Sequence, residues 1–357
     1  MPANRMNRDE FYAAMASQDD ARLRKVLWTL YWRGTAQLRE RIEDELRPPE
    51  RPKISPKNEQ PDPDAVLKRV TTFVELAEAG AYMAGDRRVH HTERSKWRLT
   101  FRGLVADALA ALDADDPTPA QRAVAKMVDL ACDMRRYDYF HSDDPVEAAK
   151  FVVSDAVAVL WESVLRHDGP AAFAGRVPEQ LIRWEAGYGW TRRGYGQVAE
   201  KETALAVPLA RLLATPDMWR TFAESYLQAL DAAGRADPKR PRMVYGSFDE
   251  TRHRRRERTA DLDVWHEMLR ERFTGAPEED LLDKLVASPA LAGPELAFLR
   301  AKIAARRGDR AQAAALVTES LKELPGHPEY QDFAVEVGAK LPPRAREMVA
   351  ERARILG

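Results

Sequence analysis

The sequence holds a single cysteine, Cys132, so no internal disulfide can staple the fold. No electropositive cysteine motif surrounds it. It reads as a small buried apolar residue of a protein kept in a reducing compartment. Long hydrophobic runs are missing too. No stretch reaches the roughly 18 uncharged apolar residues that a membrane span needs. Met1 to Arg8 carries no apolar run of the leader type, so no secretory signal is expected. A cytoplasmic location without a membrane partner follows. An excess of one charge is absent as well: 56 basic and 57 acidic residues leave a formal charge of −1. The molecule as a whole lacks the basic surplus of a nucleic-acid binder, and an electrostatic partner would have to be met by a local patch.

Strand signals and catalytic motifs are equally scarce. No Asn-Gly turn lies between alternating apolar runs. There is no Gly-x-Ser-x-Gly elbow, no phosphate loop of the Gly-x-x-x-x-Gly-Lys type and no Gly-x-Gly-x-x-Gly. Among seven histidines none stands in a His-Glu-x-x-His pair, since His266-Glu267 lacks the second histidine. Asp138-x-x-His141 and Asp263-x-x-His266 echo the carboxylate–histidine spacing of di-iron bundles. With acids at about one residue in six, such pairs arise by chance. No metal and no cofactor are expected.

What is present is helix punctuation in a chain that is 45% apolar, enough for a sizeable core. An all-α fold built from helical hairpins follows, and 357 residues suggest about two or three units. Residues 1–47 read as an N-terminal hairpin. Leu23, Val26, Leu27, Leu30 and Tyr31 share one helix face, Gly34 stops the helix, and Thr35 caps a second one bearing Leu38, Ile42 and Leu46. Trp28 and Trp32 widen the stripe. Residues 48–62, rich in proline and charge, read as a linker. Residues 63–234 read as a central helical domain, opened by an Asp62 cap and Pro63. Its helices are expected at about 93–113, from Thr118-Pro119 towards Tyr139, at about 145–167 up to Gly169, and from Thr215-Pro216 onward. The helix over 145–167 is apolar on nearly all sides and should be central. Residues 235–259, basic and poor in large apolar side chains, read as a long loop or inter-domain linker with room for a short helix. Residues 260–357 form a C-terminal unit of short helices.

Within that unit, residues 294–327 carry a Gly308-Asp309 turn, then Ala313, Val317 and Leu321 at helical spacing, then Pro325. In length and in these positions the segment resembles a tetratricopeptide repeat. The resemblance implies two antiparallel helices packed through a small residue at Ala313, and by family analogy a protein-binding role. It brings no catalytic residues.

Two features suggest contact with a partner. Gly187–Gln197 (GYGWTRRGYGQ) packs glycines, aromatics and arginines into one loop. Glycines admit close backbone approach, Tyr188, Trp190 and Tyr195 can stack, and Arg192 and Arg193 can grip phosphate or carboxylate. The second feature is the basic stretch from 239 to 258 with Arg252, Arg254, Arg255 and Arg256, matched by a shorter one at Asp86–Arg98. Clustered arginines can contact phosphates. They also arise as a solvated or acid-paired helix face. The leading expectation is a non-enzymatic, protein-binding helical protein of adaptor, scaffold or regulatory type. Binding of nucleic acid or a phosphorylated ligand through the arginines stays open. So does a helical enzyme whose site assembles only in three dimensions.

Overall fold

The computed structural model describes residues 14–16, 18–35, 39, 42, 60–83, 86, 88–134, 136–188, 196–237, 243–244 and 248–356. It is an all-α helical bundle, in which helices are joined by short turns. Among the described residues the only strands are β1 (Met243–Val244) and β2 (Phe248–Asp249), a two-residue antiparallel pair. Residues 1–59 and 60–357 form two compact units.

In the first unit, α1 runs over Asp20–Arg33. The Asp19 carboxylate accepts the Arg22 amide at 2.7 Å and so caps it. The helix ends at Gly34, as its position suggests, but through extended backbone rather than a left-handed turn. Leu23, Leu27 and Tyr31 are half-buried. Trp28 and Trp32 are not core residues: they stack at 5.9 Å with 60% and 71% of their surface exposed. Each follows a residue of the half-buried stripe by one position, which turns it about 100° away. Beyond α1, the Arg39 amide bonds the Thr35 carbonyl at 3.0 Å, and most of the expected second helix falls outside the described residues. Leu38, Leu46 and most of the proline-rich stretch lie outside the described residues.

The second unit opens with α2 (Pro63–Glu78), whose cap is the Asp62 carboxylate on the Ala65 amide. Its Val66, Val70, Phe73, Val74 and Ala77 are buried. The helix expected over 93–113 is three pieces: α3 (His91–Ser95), α4 (Trp97–Ala110) and a 3₁₀ turn at Ala111–Asp113. Trp97, Phe101, Leu104 and Ala108 make its buried face, whereas Leu99 is exposed. Next comes α5 (Thr118–Asp133), which stops short of Tyr139.

The expected central helix over 145–167 is broken. After α6 (Pro145–Ala149), Lys150 turns left-handed at φ 52°, and α7 (Val153–Tyr188) starts afresh. Burial nevertheless follows the apolar pattern: Phe151, Val153, Val157, Leu160 and Val164 lie in the core, and only Val159 is exposed. Gly169, at φ 81°, divides α7 into two arms, a conformation that favours glycine, and Pro170 starts the second arm at a helix first turn. Trp161 donates to Gln180 at 2.9 Å and stacks on Trp184, so the second arm folds back along the first.

Then come α8 (Ala206–Leu212) and α9 (Pro216–Ala236), the latter capped by Thr215 as its Thr-Pro pair suggests. The stretch read as a polar linker carries a regular helix, α10 (Glu250–Asp261). It needs little apolar surface because charges hold it. Arg254 pairs with Glu250 and His253 with Glu257 at i,i+4, and the Asp249 carboxylate caps its start. The chain continues as α11 (Asp263–Phe273), α12 (Asp280–Ala287), α13 (Pro294–Arg306), α14 (Arg310–Glu323), α15 (Pro328–Glu336) and α16 (Pro343–Leu356). One core runs from Val66 to Ile303. A smaller one, with Phe298, Ala301, Val317, Leu321 and Tyr330, holds α13 to α15 together.

Between α13 and α14, Gly308 adopts φ 85° and the Asp309 carboxylate accepts the Gln312 amide at 2.9 Å. Ala313, Val317 and Leu321 are fully buried on α14.

Candidate functional site

The loop at Gly187–Gln197 is seen only at its ends. Tyr188 is the last residue of α7, while Trp190, Arg192, Arg193 and Tyr195 lie outside the described residues. Its far end is tethered. The Glu147 carboxylate accepts the Gln197 amide at 3.1 Å and the Val198 amide at 2.9 Å.

The arginines of α10 face carboxylates from several elements. Arg252 meets Glu323 at 3.1 Å, and Arg254 meets Glu250 at 2.5 Å. Arg256 lies 3.5 Å from Glu295 and 3.9 Å from Glu323. Arg255 and Arg258 both hold Asp237, whose side chain is 3% exposed. Burial alone would raise the Asp237 carboxyl; the two guanidinium groups outweigh it and hold it below its ordinary range. Arg258 also donates to the Ala290 carbonyl at 2.8 Å. Thus α10 is clamped to the end of α9 and to the turn before α13. In the segment Asp86–Arg98, Arg88 pairs with Asp86 and lowers its carboxyl to about 2 through hydrogen bonds.

A groove of about 510 Å³ opens between α10 and α11 on one side and α13 to α15 on the other. No motif announced it. Its wall holds Asp263, Glu267 and Glu271 of α11, Glu295 and Lys302 of α13, and Glu329 of α15. Its apolar part is Val264, Met268, Phe298, Leu299, Leu324 and Tyr330. The rings of Phe298 and Tyr330 lie 4.1 Å apart, and His327 stacks on Tyr330 at 4.0 Å. Lys302 reaches Glu267 at 3.0 Å and Glu329 at 3.2 Å, with its Nζ 4.7 Å over the Phe298 ring. Two buried wall atoms, Glu295 Oε2 and His327 Nδ1, have no hydrogen-bond partner.

Deeper in, His266 Nε2 lies 2.7 Å from the Tyr226 hydroxyl. Burial pushes the imidazole down to about 3 and the phenol up. A neutral imidazole that accepts from a protonated phenol satisfies both groups. Cys132 is half-buried, and burial pushes its thiol up, aided by Asp129 and Asp133. Among the described residues no three His, Cys, Asp or Glu side chains are placed to hold a metal ion. No helix of the described residues is long and apolar enough to cross a membrane.

Sequence reasoning missed this groove. The one trace was the hairpin at 294–327, whose first helix supplies Glu295, Phe298 and Lys302. No protein-family model, curated protein or solved structure matches the chain.

Proposed function

We propose that the chain is a non-enzymatic, cytoplasmic helical protein that works by binding another protein, as an adaptor, scaffold or regulatory component. The observation that supports this reading most is the groove beside α13 to α15. It combines aromatic and aliphatic wall with charged rim, and it lies on a helical hairpin that resembles a tetratricopeptide repeat in sequence. Buried aromatic anchors inside a polar rim are how protein surfaces concentrate binding energy. The paired state of the α10 arginines weighs in the same direction. Their charge is met by Glu250, Glu295, Glu323 and Asp237, which leaves less of it for phosphates.

Photo-cross-linking from the full-length chain in its own host tests the reading. A benzophenone side chain replaces Glu271, which lines the groove and is largely exposed. The expected result is a discrete cross-linked protein that is absent when the probe replaces exposed Leu99 of α4. No discrete product from position 271, or the same product from both positions, would count against it. A salt-dependent complex with an oligonucleotide, lost on Arg252→Ala with Arg256→Ala, would favour nucleic acid instead.

A further inference from the structure

The groove has a marked chemical bias. Its polar wall is carboxylate-rich, its floor is aromatic, and its one lysine is already consumed. Lys302 sits over the Phe298 face and between the carboxylates of Glu267 and Glu329. The groove therefore already demonstrates the geometry in which a cation is held there: a ring below and two carboxylates at the sides. A second such position is only loosely paired. Glu295 Oε2 is buried and accepts no hydrogen bond, with its nearest cation, Arg256 Nε, 3.5 Å away. Also lining the groove, His327 Nδ1 is buried without a hydrogen bond, on a ring stacked against Tyr330. A buried oxygen without a donor costs free energy that an incoming N–H group would recover. The net local field is negative as well: the Tyr330 phenol is pushed up by burial and then by Glu295, Glu329 and Asp263, against a smaller opposing pull from Arg256. Phosphates and acidic peptides are repelled from such a place.

We propose that the groove receives a lysine or arginine side chain from a basic segment of the partner protein. The cation docks against Glu295 and Glu329, with its aliphatic stem along Phe298 and Tyr330. This rests on the protein-binding reading above and names the chemistry of the partner. Lys302 acts as an internal competitor, because it neutralises Glu329 in the unbound protein.

The competitor role gives a test with a defined sign. A randomised peptide phage library is selected on the full-length chain, and the enriched peptides are synthesised with a fluorophore. We expect each to carry an arginine or lysine at a fixed register. Replacing that residue by citrulline or norleucine should weaken binding about tenfold or more, the scale of a charge-assisted contact. Glu329→Gln together with Glu295→Gln should weaken it similarly. Lys302→Met should tighten it severalfold, since it frees Glu329; a lysine that served only to hold the wall in shape would give weaker binding when lost. Each variant is accepted only with an unchanged thermal unfolding midpoint, and the citrulline arm needs no variant at all. Peptides that bind equally with citrulline, or that carry no basic residue yet protect the groove, overturn the inference and leave the protein-binding reading standing. A selection that enriches no peptide overturns both.

Discussion

Two buried side chains decide much of the interior, and each has a measurable signature. Glu202, 8% exposed, accepts the Val153 amide at 2.7 Å and the Ser154 amide at 3.0 Å. These are donors of the first turn of α7, which the helix itself cannot satisfy. Burial raises the carboxyl above its ordinary value, while the hydrogen bonds oppose that. Glu202→Ala orphans both amides and should cost about 2–4 kcal/mol of unfolding free energy, read by denaturant titration. Glu202→Gln, which keeps one acceptor oxygen, should cost less than half as much. His266 gives a pH signature. Its folded imidazole titrates near 3 against an ordinary 6.5, because burial disfavours the charged form. The unfolded chain therefore binds a proton in that window that the folded chain refuses. Stability from this group is complete above pH 6.5, falls as the pH drops from 6.5 towards 3, and changes no further below. His266→Gln should flatten that part of the pH–stability curve, and an unchanged slope would refute the assignment.

At the scale of elements, the clearest sequence signals were those in which one residue performs one local task. Asp62-Pro63 and Thr215-Pro216 start helices where such pairs are expected, each with the side-chain oxygen on the amide three residues on. Gly308-Asp309 turns the chain between α13 and α14. Gly308→Ala should cost about 1–2 kcal/mol, through backbone strain alone, because a Cβ there meets nothing within 4 Å. Gly308→Asn should recover a good part of this, since asparagine tolerates the left-handed region. Chemical denaturation of the two variants checks the order. Other elements were not legible. Lys150 takes a left-handed turn that lysine does not advertise, so the helix expected over 145–167 starts at Pro145 but is interrupted at that turn and resumes at Val153. The helix α10 was legible only as a short helix within a linker, because its periodicity is ionic rather than apolar. Apart from Arg254, which pairs with Glu250 of the same helix, its paired arginines find their acids on other elements, at Asp237, Glu295 and Glu323.

At the scale of the molecule, helical content could be read from composition and caps. The groove could not. Its wall joins α11 to α13 and α15, and residues as far apart as Asp263 and Tyr330 meet only after the hairpins stack. No spacing in the sequence encodes such a meeting, and the arginines of α10 that stood out locally are paired. The account's central claim is that this groove binds a protein segment. Hydrogen–deuterium exchange on the full-length chain, with and without a bound peptide selected on it, tests that claim most directly. Slowed exchange confined to residues 263–271 and 294–336 is the predicted result. Protection that falls instead on Gly187–Gln197 or on α1, with the groove unchanged, would contradict it.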